Sequence, residues 1–280
     1  MKGEAVCHGA ATIVNAIAHG KGAAFGIDLR TSAEVELIPD GEIELIMEEK
    51  ENPSLAIRCF ENVLSLFAPN EYMGAVIRTR SNIPISRGLK SSSAAANAIV
   101  LATLNALEVE VDPLDAVKIG TKSAVEAGVS VTGAFDDAAA SLLGGVVVTD
   151  NEREILLKRD RLPDDIKVLL HIPEFKIRKR DLPLARIRSL APIAKTALDL
   201  AMEGEYFWAM TLNGICYSAA LGLDQELAME AMHKGALAAG VSGTGPATAI
   251  LVNGDVVDEL LADLDSWELR VVELYQGDSS

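Results

Sequence analysis

The stretch RGLKSSSAAANA, Arg87 to Ala98, most constrains what this chain can fold into. A glycine, a lysine and three serines run straight into an alanine-rich segment. Alanine is the best helix former and carries almost no bulk, so a helix built from it contributes to a core only by lying close to its neighbours. The start of such a helix is also exposed chemistry. Gly88 frees the backbone to turn, and the serines bring hydroxyls to an end where the first N–H groups lack intrahelical acceptors and carry partial positive charge. A helix N-terminus of this kind binds phosphate. Serine at the same place is equally a simple N-cap. On these residues alone both readings stand.

A Walker A loop is excluded. It requires Gly-Lys-Ser/Thr with a further glycine upstream, whereas Leu89 precedes Lys90 and Pro84 holds the upstream place. The other Gly-Lys pair, Gly20-Lys21, is followed by Gly22.

The rest of the chain reads as mixed α and β. Residues 53–68 and 92–107 carry helical spacing, and so do residues 113–127, where Asp112 caps, Pro113 takes the first helical position and Gly128 follows the end. A further short helix is expected from about Asp136 to Leu143, stopped by Gly144 and Gly145. GAAFGIDLRTSAEVELIP and GEIELIM alternate about Pro39, Asp40 and Gly41 and predict a hairpin. GAVIRTRSNIP, GVVVTD, IKVLLHIP, PATAILVNG and ELRVVELYQG predict strands. APIAKTALDLAMEGEYFWAMTLNGI gives long helices, with Trp208 expected in the core, and DQELAMEAMHKGALAAG gives one more. The charged run NEREILLKRDRLPDD, 151–165, is expected as a seam between two units, 1–155 and 156–280. The fold class is therefore α+β, not a doubly wound parallel sheet.

Charge and cysteine usage narrow the function classes. Of 280 residues, 41 are acidic and 25 basic, a net charge of −16, so the field repels polyphosphate backbones and no nucleic-acid partner is expected. A small anion is still admissible in a local nest of backbone N–H groups. Cys7, Cys59 and Cys216 are widely spaced with no CxxC, which argues against disulfides or zinc and for free thiols. No apolar run has the length of a membrane span, and the start lacks a signal-peptide core. A cytoplasmic protein with no membrane partner is the expectation; oligomeric state is left open.

Two further stretches bear on the serine loop. GAFDDAAASLLGG, 133–145, sets two aspartates in an apolar context just before a helix, and VSGTGPATAI, 241–250, is expected as a glycine-rich turn between a helix and a strand. Each alone is weak, since a carboxylate at a helix start is also a cap. In this order and spacing, PISRGLKSSSA, DDAAASLLGG and SGTGPATA, with AHGKGAAFGIDL near the start, resemble the galactokinase–homoserine kinase–mevalonate kinase–phosphomevalonate kinase (GHMP) superfamily. GLKSSSAAANA and TIVNAIAHGKGAAFGIDL look most like its archaeal-type shikimate kinases.

The resemblance implies a two-domain fold, an N-terminal ribosomal protein S5 domain 2-like unit followed by a ferredoxin-like one. It implies ATP-dependent phosphorylation of a small alcohol, shikimate at its 3-hydroxyl, with homoserine or mevalonate, or non-catalytic metabolite binding, as alternatives. ATP would lie on Ser86, Arg87, Gly88, Leu89, Lys90, Ser91, Ser92, Ser93, Ala94 and Ala95. Mg²⁺ would lie on Ser92 and Glu126, and Asp136 would be the catalytic base. Lys21, Asp137, Arg178 and Arg180 are acceptor candidates, with Arg30 and Arg186 behind them, since an arginine fork suits a carboxylate. His8 and His19 are expected to be structural. The lysine that mevalonate kinases supply from an N-terminal PGK is replaced here by HGAAT at 8–12, which leaves the activation of Asp136 unaccounted for.

Overall fold

The computed structural model describes residues 1–47, 53–130, 133–177 and 181–277. Its first half is organised by one long strand. Strand β2 (Lys21–Ile38) pairs along one edge with β1 (Lys2–Val14). Its other edge is shared in turn by β5 (Val146–Asp150), β11 (Leu274–Tyr275) and β4 (Gly74–Ser81). Strand β3 (Ile43–Met47) lies beyond β4, and β6 (Ile155–Asp160) lies beyond β5, completing a seven-stranded sheet. β11 comes from the far end of the chain, so the sheet is closed by both halves.

The expected hairpin at Pro39–Gly41 does not form. The chain reverses there, but β4 inserts between β2 and β3, and β3 pairs with β4 in parallel through the intervening helix α1 (Pro53–Phe67). A crossover helix is what parallel neighbours require, and two alternating runs in succession do not reveal that a third will come between them. The run 151–165 is likewise not a bare seam. Its residues 155–160 are the edge strand β6, whose Lys158, Arg159 and Asp160 are the charges that keep an edge from pairing further. The expected boundary at 155/156 thus falls on the first residue of a strand that belongs to the first sheet.

Helix α2 (Ser91–Ala106) packs across β1 and β2. Its alanines permit the close approach anticipated above: a Cβ on Gly3 of β1 would sit 2.2 Å from the carbonyl oxygen of Ala102. Helices α3 (Pro113–Glu126) and α4 (Phe135–Leu143) stack beside it, and Asn97 of α2 donates to the carbonyl of Ala138 in α4 at 2.8 Å. Asp112 caps α3 through the Leu114 amide at 2.8 Å.

The second half builds an antiparallel sheet in the order β10 (Leu269–Val272), β7 (Ile166–His171), β9 (Thr248–Asn253), β8 (Ala238–Val241). Helices α7 (Tyr206–Leu221), α8 (Glu226–His233) and α9 (Val257–Asp263) cover it, while α6 (Ala191–Glu203) packs on α7 and on β1, β2 and β5 of the first sheet, with α5 (Leu184–Ser189) beside α6 and α7. Three expectations change here. The helix expected through residue 240 ends at His233 near Gly235, whose φ is +98°, and the small residues 238–241 form a strand. The glycine turn after it therefore joins two strands. Trp208 is 65% exposed while Met210 is buried, because residues two apart point away from each other on a helix.

One apolar core runs through both halves, from Phe25, Phe60 and Ile77 to Val168, Ala209 and Leu251. Cys7 and Cys59 are buried within it, burial pushing each thiol up to about 12, and all three cysteines are free. Among the described residues no helix is long and apolar enough to cross a membrane.

Candidate active site

The three motif stretches meet. The turn after β8 docks on the serine loop and on β1 at once. Ser242 Oγ donates to the carbonyl of Gly88 at 2.7 Å and accepts from the Thr12 amide at 3.2 Å. The Gly243 amide donates to Thr12 Oγ1 at 2.9 Å, and Asn15 Nδ2 donates to the Gly243 carbonyl at 2.9 Å. The Ala247 amide reaches the carbonyl of Arg87 at 3.0 Å. Gly88 is required at this contact. Its φ is +89°, and a Cβ there would stand 2.1 Å from the Ser242 carbonyl oxygen.

Between these segments opens a cavity of about 520 Å³, within the range of small-molecule sites. Two helices begin on its wall. Helix α2 starts after Lys90 and α4 after Ala134; both preceding residues are left-handed, at φ 67° and 55°, and neither helix start has a side-chain cap. A third left-handed residue, Ser86 at φ 59°, also lines the cavity. Such conformations cost on the order of 1–3 kcal/mol each outside glycine and persist where the surroundings impose them. The start of α2 brings Ser91, Ser92 and Ser93 to the cavity wall, the kind of helix N-terminus that receives phosphate, and the start of α4 brings Asp136 and Asp137 to the same wall.

The carboxylate is held from behind. Asp136 is 4% exposed. Its Oδ1 accepts from Asn151 Nδ2 at 2.7 Å, and its amide donates back to Asn151 Oδ1 at 3.2 Å, an oxygen that also accepts from Thr149 Oγ1 at 2.6 Å. On its other side the β2 backbone comes so near that a Cβ on Gly22 would fall 2.2 Å from Asp136 Oδ2. Burial, reinforced by the negative charge of Asp137, pushes the Asp136 carboxyl up to about 7. Lys90 and the Asn151 amide pull the other way and offset this only in part. Asp137 itself is ion-paired, its Oδ1 2.8 Å from Lys90 Nζ with both side chains largely shielded from solvent.

The structure brings most of the sequence-derived site together and leaves some of it aside. Ser86, Gly88, Lys90, Ser91, Ser92, Ser93, Asp136 and Asp137 line the cavity. Leu89, Ala94 and Ala95 do not; they are fully buried and serve the packing of α2. Arg87 does not either, and turns its guanidinium to the Phe175 carbonyl. Glu126 stands outside the lining, an exposed residue at the end of α3 that accepts from Asn62 at 2.8 Å and pairs with Lys122. Lys21 also stands outside it, 3.4 Å from Asp150. Arg186 donates to the Ala219 carbonyl, and Arg30 pairs with Asp28. Arg178 and Arg180 lie outside the described residues. Thr12, Asn15 and Asn151 went unremarked in the sequence. Thr12 and Asn15 are polar residues in an otherwise apolar stretch and Asn151 opens a charged run, so each becomes a signal only once the fold shows it to be buried.

Mg²⁺ demands few protein ligands, since it keeps waters and takes phosphate oxygens. Among the described residues no cluster of three or more His, Cys, Asp or Glu exists, and the Ser92 hydroxyl is the expected donor that the cavity retains. One hydroxyl beside phosphate oxygens fits such an ion.

Comparison with known proteins agrees with this geometry. The family model of the GHMP kinases N terminal domain matches residues 54–145. A shikimate kinase of Methanothrix thermoacetophila is 52% identical over 97% of this chain and 93% of its own. One of Methanosarcina mazei is 47% identical over 98% and 94%. Among solved structures, the Methanococcus jannaschii mevalonate kinase superposes with a TM-score of 0.76 at 16% identity, covering 98% of each chain. A Lactococcus lactis galactokinase complexed with galactose gives 0.78 at 14%, covering 99% of this chain and 95% of its own. These last two establish the fold alone.

Proposed function

The chain belongs to the family of the archaeal shikimate kinases, within the GHMP kinases, and on that footing we propose that it transfers the γ-phosphoryl group of ATP to the 3-hydroxyl of shikimate. The observation that carries the reading is that the uncapped start of α2 and the buried carboxylate of Asp136 share one cavity. The relatives' names supply the acceptor.

Phosphoryl transfer asks for positioning and for neutralisation of charge at the moving group. The amides and hydroxyls of Ser91, Ser92 and Ser93 hold the phosphates at the α2 N-terminus, with Gly88 and the Ser242–Gly245 turn fixing the loop. Mg²⁺, held by Ser92, would add charge neutralisation at the phosphate oxygens. Asp136 orients the acceptor hydroxyl and takes its proton as the oxygen bonds to phosphorus and the bond to ADP breaks. An ordinary carboxylate, near 4, is a poor base for an alcohol. Raising it toward 7 strengthens the base while leaving it substantially ionised near neutral pH. The cation beside the acid pair is Lys90, delivered by the serine loop instead of by an N-terminal PGK.

The test is ADP release by purified protein with Mg-ATP and shikimate, homoserine or mevalonate in turn. Turnover with shikimate alone is expected; turnover with homoserine or mevalonate and none with shikimate overturns the acceptor.

A further inference from the structure

The cavity has one cationic side chain that nothing so far employs. Arg188, in α5, lines it, and among the described residues its guanidinium makes no hydrogen bond or ion pair. The other cation on the wall, Lys90, is already engaged by Asp137. The remaining arginines and lysines weighed for the acceptor are engaged elsewhere or lie outside the described residues, as set out above.

The placement of α5 says which part of the cavity Arg188 serves. Ile187 is fully buried and anchors α5 in a cluster with Tyr217 and Val241, against Ile17 and Ala18. The Tyr217 hydroxyl fixes the same turn, donating to the Asn15 carbonyl at 3.1 Å and accepting from the Ala18 amide at 3.2 Å. That turn carries Ala16, whose Cβ borders the same point beside Gly22 that the Asp136 carboxylate borders. The element bearing Arg188 is thus seated against the segment beside Asp136. Leu184, four residues earlier and on the same face of α5, lines the cavity too. An apolar contact and a guanidinium side by side suit a small ring that carries a carboxylate.

We infer that Arg188 binds the carboxylate of the acceptor and so sets the enzyme's preference for an acid over a neutral alcohol. The inference rests on the functional reading above and adds the residue that selects the substrate. A guanidinium offers two parallel donors to a carboxylate, a geometry an ammonium cannot copy.

The experiment compares wild type, R188K and R188Q on shikimate and on its neutral carboxamide, with stabilisation by Mg-ATP measured alongside. R188Q is expected to raise KM for shikimate roughly 10- to 100-fold, the worth of hydrogen bonds to a charged group, with kcat changed a few-fold at most. R188K falls between. The wild-type preference for acid over amide collapses in R188Q, and the Mg-ATP stabilisation is unchanged. An unaltered KM, a preserved acid preference, or a matching loss of Mg-ATP stabilisation each overturns the assignment. If the wild type does not phosphorylate shikimate, the functional reading falls by itself. The acid–amide comparison is then made on homoserine and mevalonate, and an unaltered KM in R188Q there overturns the role of Arg188.

Discussion

Lys90 Nζ lies 2.8 Å from Asp137 Oδ1, and this pair joins the serine loop to the start of α4. The lysine is held in the left-handed region at φ 67° directly before α2, so its ammonium is set between the serine loop and the acid pair. Substitution K90M removes the cation and leaves Asp137 unpaired. A fall in kcat of roughly 10²–10³-fold is expected, the size seen when one preorganised charge-stabilising group is lost. Lys90 also lowers the Asp136 carboxyl, so the acid limb of the kcat–pH profile moves to higher pH in K90M. Substitution D137N removes a charge that raises Asp136 and moves the limb the other way. Shifts of the same sign in both variants refute this coupling.

Asp136 ties activity and stability to pH in opposite directions. As the proposed base it must be ionised, so kcat is expected to rise with pH through a midpoint near 7. Its native value lies above its unfolded value, so between about 4 and 7 the native state binds the extra proton and stability falls as pH rises. D136N abolishes the cost of burying the charge. It is expected to lower kcat by on the order of 10²–10⁴-fold while raising the melting temperature, more at pH 8 than at pH 5. Stabilisation by Mg-ATP persists. Calorimetry at the two pH values with kinetics on the same preparations reads both effects.

Asn151 donates to the Asp136 carboxylate and accepts from its backbone. N151A withdraws a donor that favours the ionised form, so the acid limb is displaced upward relative to wild type. KM for ATP is expected to change little, because Asn151 does not line the cavity. A profile superimposable on wild type would remove Asn151 from the account of the base.

Gly22 leaves no space for a methyl group beside Asp136 Oδ2. G22A pushes the carboxylate off its position against Asn151. Since a displacement of about 1 Å at reacting groups costs on the order of 10²-fold, kcat should fall by that order with Mg-ATP stabilisation intact. A fully active G22A protein contradicts a fixed carboxylate.

Much of this arrangement was legible in the residue string. The boundaries of α2 and α3 follow from local chemistry, the alanine run and the Asp112–Pro113 start, and local chemistry is visible without the fold. What could not be read is what depends on distant partners. Whether β2 pairs with β3 or with β4 is decided by strands far along the chain. The residues 238–241 are small enough for a helix and became a strand because β9 and α7 flank them. Trp208 faces solvent although its helix is apolar on every side. Glu126 is an acidic residue shortly before Asp136 in the sequence, yet its place on α3 sends it to Asn62. Arg188 is a single basic residue on a short helix, and its place on the cavity wall depends on α5 packing against the distant turn at Ala16–Ala18.

The pairing of β11 with the middle of β2 has a consequence for how the molecule is made. Gly145 donates to the Tyr275 carbonyl, and Tyr275 donates through its hydroxyl to Leu142, at the end of α4 remote from Asp136. A ribosome that has released only the first 160 residues has therefore made Asp136 and the serine loop but not the strand that fastens the helix carrying that aspartate. Competence arrives late in synthesis, and a nascent chain bears its finished active site only after residues 274 and 275 have emerged.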